Sequence, residues 1–250
     1  MNSWLILVAA LVGYLLGSIS FARLVFHWVA PGQEITGMEL DIPGADEKVH
    51  VRAVSGTAVS TKLGAKWGGT TAILDILKTL IPTVVFRVLY PGMPYFVIVA
   101  AMGLVGHNWP LYHRFKGGRG ISPIYGGFLA IAPLGTLITA IVSMLVGLFV
   151  LKSVLIAYMG GMWLMIPWLW FTTYDPARLI YVLFVNIVFA LAMIPDIQGM
   201  LDRKRRGVEG DFMASMDMIP MGRMMKKMAN RFGLMMDTEK AEETTEGLGD

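Results

Sequence analysis

The sequence contains no cysteine and few charged residues. With 0 cysteines in 250 residues, it excludes a disulfide framework, thiolate catalysis and a cysteine-ligated metal site. Only 16% of the residues are Asp, Glu, Lys or Arg, whereas soluble globular domains carry about 25%. Hydrophobic residues make up 55% of the chain, in long apolar runs. The composition therefore excludes an ordinary soluble protein and predicts an integral membrane protein.

The N-terminus also lacks the basic residues of a secretory signal peptide, and the apolar run after Trp4 is too long for one. We therefore predict that this run is the first membrane span of an all-α polytopic helix bundle. Small residues at Gly13, Gly17, Ser18 and Ser20 favour close helix packing in lipid. Seven spans are predicted, at residues 3–29, 69–90, 95–107, 121–132, 136–151, 154–171 and 178–197.

The placement of lysine and arginine predicts the orientation of these spans. Basic residues occur in the loops at 30–68 and 107–120, at the Lys152 turn and in a cluster after residue 201. The turns near residues 91, 133 and 174 are short and nearly uncharged. Seven spans with the N-terminus outside place all four basic regions in the cytoplasm, as the positive-inside rule requires.

The segment at 106–120 concentrates the chemistry of the chain. It reads Gly-His-Asn-Trp-Pro-Leu-Tyr-His-Arg-Phe-Lys-Gly-Gly-Arg-Gly, between two apolar runs. Lys and Arg provide donors for phosphate oxygens, and Gly117, Gly118 and Gly120 let backbone N–H groups approach an anion. A helix that begins just after Gly120 would add its dipole. The segment predicts a phosphate-binding loop at a membrane surface, although its charge alone also fits an ordinary basic cytoplasmic loop.

Two further regions are candidates for the same site. The alternation at residues 49–54 allows a short strand or hairpin, and the hydroxyl-rich stretch at 55–64 either wraps an anion or is a plain surface loop. Asp75 and Lys78 lie three residues apart inside the second span. Because ionisable residues within spans usually face the bundle interior, they form either a structural ion pair or part of the lining of a site.

The C-terminal part of the sequence differs from the rest. We divide the chain into a transmembrane domain at 1–209, a methionine-rich amphipathic interfacial segment at 210–236 and an acidic disordered tail at 237–250. Arg223 and Lys227 are among the basic residues interspersed with the methionines of the middle part. Arg23, near the end of the first span, is expected to reach toward the membrane surface.

Together these motifs resemble a known family. Gly-His-Asn-Trp-Pro at 106–110, followed by Phe-Lys-Gly-Gly-Arg-Gly at 115–120, is similar to the central motif of the small integral-membrane glycerol-3-phosphate acyltransferases that use acyl phosphate. Residues 14–19, 63–68 and 74–78 also look like parts of that family. The resemblance covers roughly residues 5–209 and includes the arrangement of seven spans.

The resemblance implies an activity and a set of site residues. Such enzymes move an acyl chain from acyl phosphate to the 1-hydroxyl of glycerol 3-phosphate, at the cytoplasmic face. The implied catalytic residues are His107, Lys116 and Ser55, with Asp75 and Lys78 as candidates for the lining of the site. The implied phosphate-binding residues are Lys116, Gly117, Gly118, Arg119, Gly120, Thr57, Arg203 and Glu209. Membrane lipid is an expected partner, and neither a metal, a cofactor nor a nucleic acid is expected.

Two alternatives remain open at the level of sequence. In the family's third motif only Arg203, Gly207 and Glu209 agree, and Ile197, Gly199 and Met200 occupy its histidine, glutamate and asparagine positions. This difference favours a non-catalytic membrane protein that keeps the scaffold and binds an anionic lipid or metabolite. A small transporter is a weaker alternative, because no inverted repeat is visible.

Overall fold

The computed structural model describes residues 2–40, 48–151, 153–205, 222–223 and 227. These residues are mostly helical, which confirms the predicted fold class in its coarse form. The helices are α1 (Ser3–Gly17), α2 (Phe21–Val29), α3 (Gly56–Leu63), α4 (Ala65–Leu89), α5 (Tyr95–Asn108), α6 (Ile121–Ile131), α7 (Pro133–Leu145), α8 (Val154–Thr172) and α9 (Pro176–Arg205). A 3₁₀ turn at Leu111–His113 precedes α6, and a π-helical turn at Val146–Val150 extends α7.

The first predicted span is long and apolar enough to cross a membrane, but it consists of two helices, because the chain breaks at residues 18–20 between α1 and α2. The buried Ser18 lies at the break, and its hydroxyl donates to the carbonyl of Tyr14 at 2.8 Å. The same oxygen accepts from the N–H of Leu111 at 3.2 Å. Side-chain hydroxyls that bond the backbone compete with helix continuation, and here they also join the break to the 106–120 segment.

The predicted small-residue face of the first helix packs closely against α5, as expected. Gly13 and Gly17 are buried. A Cβ atom at Gly13 would overlap the carbonyl of Val99, and one at Gly17 would overlap the carbonyl of Gly103. Only glycine therefore allows the backbones of α1 and α5 to approach each other this closely. This contact fixes the position of α5, which ends at the 106–120 segment.

A short β-hairpin and α3 pack against α2. Strands β1 (Met38–Leu40) and β2 (Val49–Val51) pair antiparallel, with Met38 opposite Val51, so the short strand predicted from the alternation at 49–54 is confirmed. Ten buried residues from the hairpin, α2 and α3 form a separate apolar cluster, which burial from water stabilises. They are Ala22, Val25, Phe26, Ile35, Met38, Val51, Ala53, Val54, Ala58 and Val59.

Three helices have other bounds than the predicted spans. Helix α7 begins at Pro133 rather than at residue 136, because proline fits the first helical position, where its missing N–H is not needed. Helix α9 continues through Pro195 to Arg205, whereas the sequence predicted an end at 197. Helix α4 begins at Ala65, before the predicted start at residue 69.

Three stretches of the described residues are long and apolar enough to cross a membrane. They are Ser3–Val29, Pro133–Val150 and Pro176–Gly199. The predicted interfacial segment at 210–236, apart from residues 222, 223 and 227, and the predicted tail at 237–250 lie outside the residues that the structure describes.

Candidate functional site

A buried cluster of three ionisable side chains joins α4 to the end of α5. The Nζ atom of Lys78 lies 2.8 Å from Oδ1 of Asp75, 2.9 Å from Nδ1 of His107 and 2.7 Å from the carbonyl oxygen of Ile19. All three side chains are buried. An ammonium group has three N–H donors and no acceptor, so these contacts use every donor that Lys78 has.

This cluster determines how His107 presents its imidazole. If Lys78 is charged it can only donate, so Nδ1 of His107 accepts and the neutral ring carries its proton on Nε2. The carboxylate of Asp75 lies 3.5 Å from the same Nδ1 atom, too far for a strong hydrogen bond. The hydrogen-bond donor of the ring is then Nε2–H, and Lys78 contacts the other ring nitrogen, Nδ1.

The glycines of the 106–120 segment allow the loop to lie against His107. The N–H of Gly118 donates to the carbonyl of His107 at 3.2 Å, and the carbonyl of Gly117 accepts from the N–H of Val54 at 3.1 Å. A Cβ atom at Gly118 would overlap Nε2 of His107. The loop is thus bonded both to α5 and to the residue that precedes Ser55.

The end of the loop also requires a glycine. Gly120 has φ +88°, and α6 begins at the next residue, which confirms the predicted helix start. A Cβ atom at Gly120 would overlap the side chains of Leu104 and Asn108. The side chain of Asn108 is buried, and neither of its polar atoms has a hydrogen-bond partner, so its amide is available to a ligand or to water.

Arg23 has a different place from the one expected. Its guanidinium donates to the carbonyl of Lys116 at 2.8 Å and to the hydroxyl of Ser20 at 3.2 Å, so it supports the loop instead of only reaching toward the membrane surface.

The second histidine of the segment, His113, is not on the wall of the cavity described below. Partial burial and the cations Arg23 and Lys78 lower the pKa of His113, so it is neutral at pH 7.

A cavity of about 1040 Å³ opens beside His107. It is lined by residues from the hairpin, α3, α4, the 106–120 segment, α6, α8 and α9. The polar lining residues include Ser55, Thr57, Ser60, Asp75, His107, Arg119, Gly120 and Ser122. The apolar lining residues include Tyr158, Met159, Trp163, Ile166, Phe189, Met193 and Ile197. The cavity is therefore amphipathic and suits a ligand with a polar head and an apolar chain.

The structure brings six of the twelve candidate site residues from the sequence onto this cavity. Ser55, Thr57, Asp75, His107, Arg119 and Gly120 line it. Ser55 is also the N-cap of α3 and accepts from the N–H of Ala58 at 3.4 Å. Lys78 contacts His107 but does not line the cavity. Gly117 and Gly118 belong to the loop and do not line the cavity either.

Lys116 does not reach the wall of the cavity, and the side chains of two other predicted residues are not described. The side chain of Lys116 is exposed and does not line the cavity. Arg203 falls in α9, where the structure describes its backbone but not its side chain, and Glu209 lies outside the described residues. The catalytic or binding roles of these three residues stay predictions.

Asp196 is a lining residue that sequence reasoning did not identify. Its carboxylate binds the guanidinium of Arg119 in a bidentate ion pair, with Nε of Arg119 2.5 Å from Oδ2. The pair links the loop to α9, and both side chains are largely buried, at 17% and 12% exposed. An acidic residue at the end of an apolar run was the available signal, because charges inside spans usually face a partner.

Arg223 and Lys227 are two further lining residues that were not identified. Their sequence spacing of four places them on one face of a helix, but it does not show which surface that face covers.

No group of three or more His, Cys, Asp or Glu side chains that could hold a metal ion comes together in the part of the chain that the structure describes.

Comparison with known proteins places this architecture in a family. A family model described as glycerol-3-phosphate acyltransferase matches residues 7–203. The glycerol-3-phosphate acyltransferase of Halalkalibacterium halodurans is 31% identical over 147 residues, which are 56% of this chain and 62% of the relative. That of Mesoplasma florum is 33% identical over 145 residues, 55% of this chain and 51% of the relative. The chain thus spans between half and two thirds of the length of these curated relatives.

The fold is also that of a solved membrane protein. The glycerol 3-phosphate form of PlsY, an integral membrane glycerol 3-phosphate acyltransferase, matches with a TM-score of 0.63 and 22% identity, over 83% of this chain and 95% of that protein. Its lysophosphatidic acid form matches with a TM-score of 0.64 and 23% identity, over the same shares of the two chains. The resemblance carried by residues 106–120 is confirmed, and the chain belongs to the glycerol-3-phosphate acyltransferase family.

Proposed function

We propose that this protein transfers an acyl chain from acyl phosphate to the 1-hydroxyl of glycerol 3-phosphate, in phospholipid synthesis. The observation that carries the proposal is the convergence of Ser55, Thr57, His107 and Arg119 on one cavity with an apolar part. These residues lie up to 64 positions apart in the sequence (119 − 55). The names of the relatives, which state the acceptor, support the same conclusion.

The reaction converts a mixed carboxylic–phosphoric anhydride into a carboxylic ester. The acceptor's hydroxyl oxygen attacks the acyl carbon, a new carbon–oxygen bond forms, and the bond from that carbon to the phosphate oxygen breaks. The hydroxyl proton leaves with the orthophosphate product. Negative charge develops on the carbonyl and phosphate oxygens, where fixed donors stabilise it. The Nε2–H of His107 is such a donor, and Ser55 and Thr57 orient the substrates by hydrogen bonds.

The two parts of the cavity suit the two parts of the donor. The acyl chain occupies the part lined by Met159, Trp163 and Ile166, where burial of apolar surface contributes about 0.8 kcal/mol per CH₂ group. The phosphate lies at the polar part, next to Gly120 and Arg119. Arg119 binds it by exchanging the carboxylate of Asp196 for phosphate oxygens, since both offer paired acceptors.

For the membrane topology we propose seven spans, with the N-terminus outside and the cavity facing the cytoplasm. The distribution of Lys and Arg supports this arrangement. Because the chain has 0 cysteines, single cysteines can be introduced at the exposed Met93 and Arg114. An impermeant maleimide applied to intact cells is expected to label Met93→Cys and not Arg114→Cys. The reverse pattern contradicts the orientation.

The activity is tested with purified full-length protein in detergent. Acyl phosphate and glycerol 3-phosphate are expected to yield lysophosphatidic acid and orthophosphate in equal amounts, with no product when the acceptor is omitted. His107→Ala is the matched inactive control. Absence of both products contradicts the proposal. Binding of glycerol 3-phosphate without turnover would favour the non-catalytic alternative on the same scaffold.

A further inference from the structure

The residues of α8 and α9 that line the cavity follow one face of each helix, because positions that recur every three or four residues share a side. On α8 these residues end at Ile166. On α9 they are Asn186, Phe189, Ala190, Met193, Asp196 and Ile197. The stretch on α9 covers 11 steps (197 − 186), a rise of about 16 Å at about 1.5 Å per residue. Asp196 binds Arg119, so Asn186 marks the end that lies away from the 106–120 segment.

Fully buried side chains close that end of the cavity. Helices α8 and α9 are joined by a short turn at 173–175 and pack side by side, since the amide of Asn186 donates to the carbonyl of Met162 at 3.5 Å. Toward the turn, the next residue on the lining face of α8 is Leu169, and the next on that of α9 is Val182. Both are 0% exposed, belong to the main hydrophobic core and do not line the cavity. The cavity therefore ends against Leu169 and Val182.

We infer that Leu169 and Val182 set the longest acyl chain that the protein accepts. The inference rests on the proposed function, because the apolar lining must hold the acyl chain. With the phosphate beside Arg119, the chain runs along α9 toward Asn186, and each CH₂ group that is buried strengthens binding about fourfold. Once the methyl end meets Leu169 and Val182, a further CH₂ group has to displace close-packed side chains, so the gain stops.

The size of the cavity indicates which chains fit. The lining stretch of α9 rises by about 16 Å, which is close to one leaflet, or half, of a hydrocarbon core of about 30 Å. A chain of the length found in ordinary membrane lipids therefore fills the cavity, and a longer one does not fit. The specificity determinant is the packed layer at the closed end, and it selects by length and not by the chemistry of the head.

The test measures binding to the full-length protein in detergent, by calorimetry. The probes are saturated acyl methylenephosphonates of increasing length, in which a CH₂ group replaces the bridging oxygen so that no transfer occurs. Leu169→Ala extends the cavity, so we expect chains longer than the wild-type limit to bind about tenfold more tightly than they bind the wild type. Ile166→Trp fills the closed end and should weaken the longest accepted chains by about tenfold, with short chains within about twofold.

Leu183→Ala is the matched control, because Leu183 is next to Val182 on α9 but is 50% exposed and does not line the cavity. Its dependence on chain length should equal that of the wild type. If Leu169→Ala does not fold, Ile166→Trp decides alone.

Binding separates this inference from the proposed function, because the probes do not react. A shifted length limit in a protein that forms no lysophosphatidic acid supports the inference and contradicts the proposed reaction. In an active protein the acyl phosphate with the highest kcat/KM should shift in length in the same direction. An unchanged dependence on chain length in either folded variant overturns the inference, since the chain then leaves the cavity sideways into the bilayer. Failure of the wild type to bind any chain length overturns it as well.

Discussion

The ammonium of Lys78 lies 2.9 Å from Nδ1 of His107 and also donates to Asp75 and to the carbonyl of Ile19. The contact assigns the acceptor role to Nδ1, so the proton of the neutral imidazole is on Nε2. In the proposed reaction, His107 then acts as a hydrogen-bond donor toward the substrate and not as the base that removes the acceptor's proton.

The first prediction separates a donor role of His107 from a base role. In His107→Gln the amide nitrogen can take the place of Nε2–H, so we expect a loss of about tenfold in kcat/KM, whereas His107→Asn lacks a donor there and should lose about 100-fold or more. The asparagine variant keeps an oxygen that can accept from Lys78, which controls for the fold. Equal losses in both variants would show that His107 acts as a base.

The second prediction concerns the contact between Gly118 and His107. In Gly118→Ala the new Cβ atom would overlap Nε2 of His107, so the ring or the loop must move, and we expect a loss of about tenfold or more in kcat. Gly69→Ala is the control, because Gly69 lines the cavity and a Cβ atom there meets nothing within 4 Å. Similar activities of the two variants would contradict the assigned loop geometry.

The third prediction concerns the ion pair between Arg119 and Asp196. Asp196→Asn leaves the guanidinium largely buried without a carboxylate, so we expect the free energy of unfolding to fall by about 3 kcal/mol. The exposed pair of Asp202 and Arg205, 4.0 Å apart on the same helix, provides the control, since Asp202→Asn should cost less than about 1 kcal/mol. Chemical denaturation in mixed micelles measures both, and equal values would show that the Arg119 pair is not stabilising.

The fourth prediction tests the role of Lys116. Its sequence position led us to expect that Lys116→Ala loses more than about tenfold in rate through loss of a phosphate-binding cation, with the fold intact. Arg114→Ala is the control, because Arg114 is an exposed cation of the same loop that does not line the cavity either. Near-normal turnover by Lys116→Ala, or an equal loss in both variants, would exclude a specific role for this side chain.

The parts of the site that could be predicted are those whose residues lie next to one another in the sequence. Gly117, Gly118 and Gly120 with Arg119 form one continuous motif, so the loop and the start of α6 at Ile121 could be predicted from it. The role of Asp196 could not, because its partner lies 77 residues away. Arg223 and Lys227 were assigned to a membrane-surface helix, since methionines and cations at helical spacing indicate an amphipathic helix without indicating what it contacts.

The fold, like the site, could be predicted from the sequence only in part. Long apolar runs predicted the helices, and Gly13 and Gly17 predicted a close contact whose partner, α5, only the structure identifies. The break at Ser18 was missed because residues 3–29 form one continuous apolar stretch, and the competing hydrogen bonds come partly from Leu111, far along the chain. The sequence predicts that the last span ends at residue 197, but α9 continues through Pro195 to Arg205, because one missing N–H is tolerated inside a helix whose neighbouring turns remain bonded.

The most direct test of the central claim is an experimental structure of the full-length protein with glycerol 3-phosphate bound. We expect the ligand in the cavity lined by Ser55, Thr57 and His107, with its 1-hydroxyl on the His107 side. Glycerol 3-phosphate bound elsewhere, with this cavity filled only by lipid or water, would contradict the account.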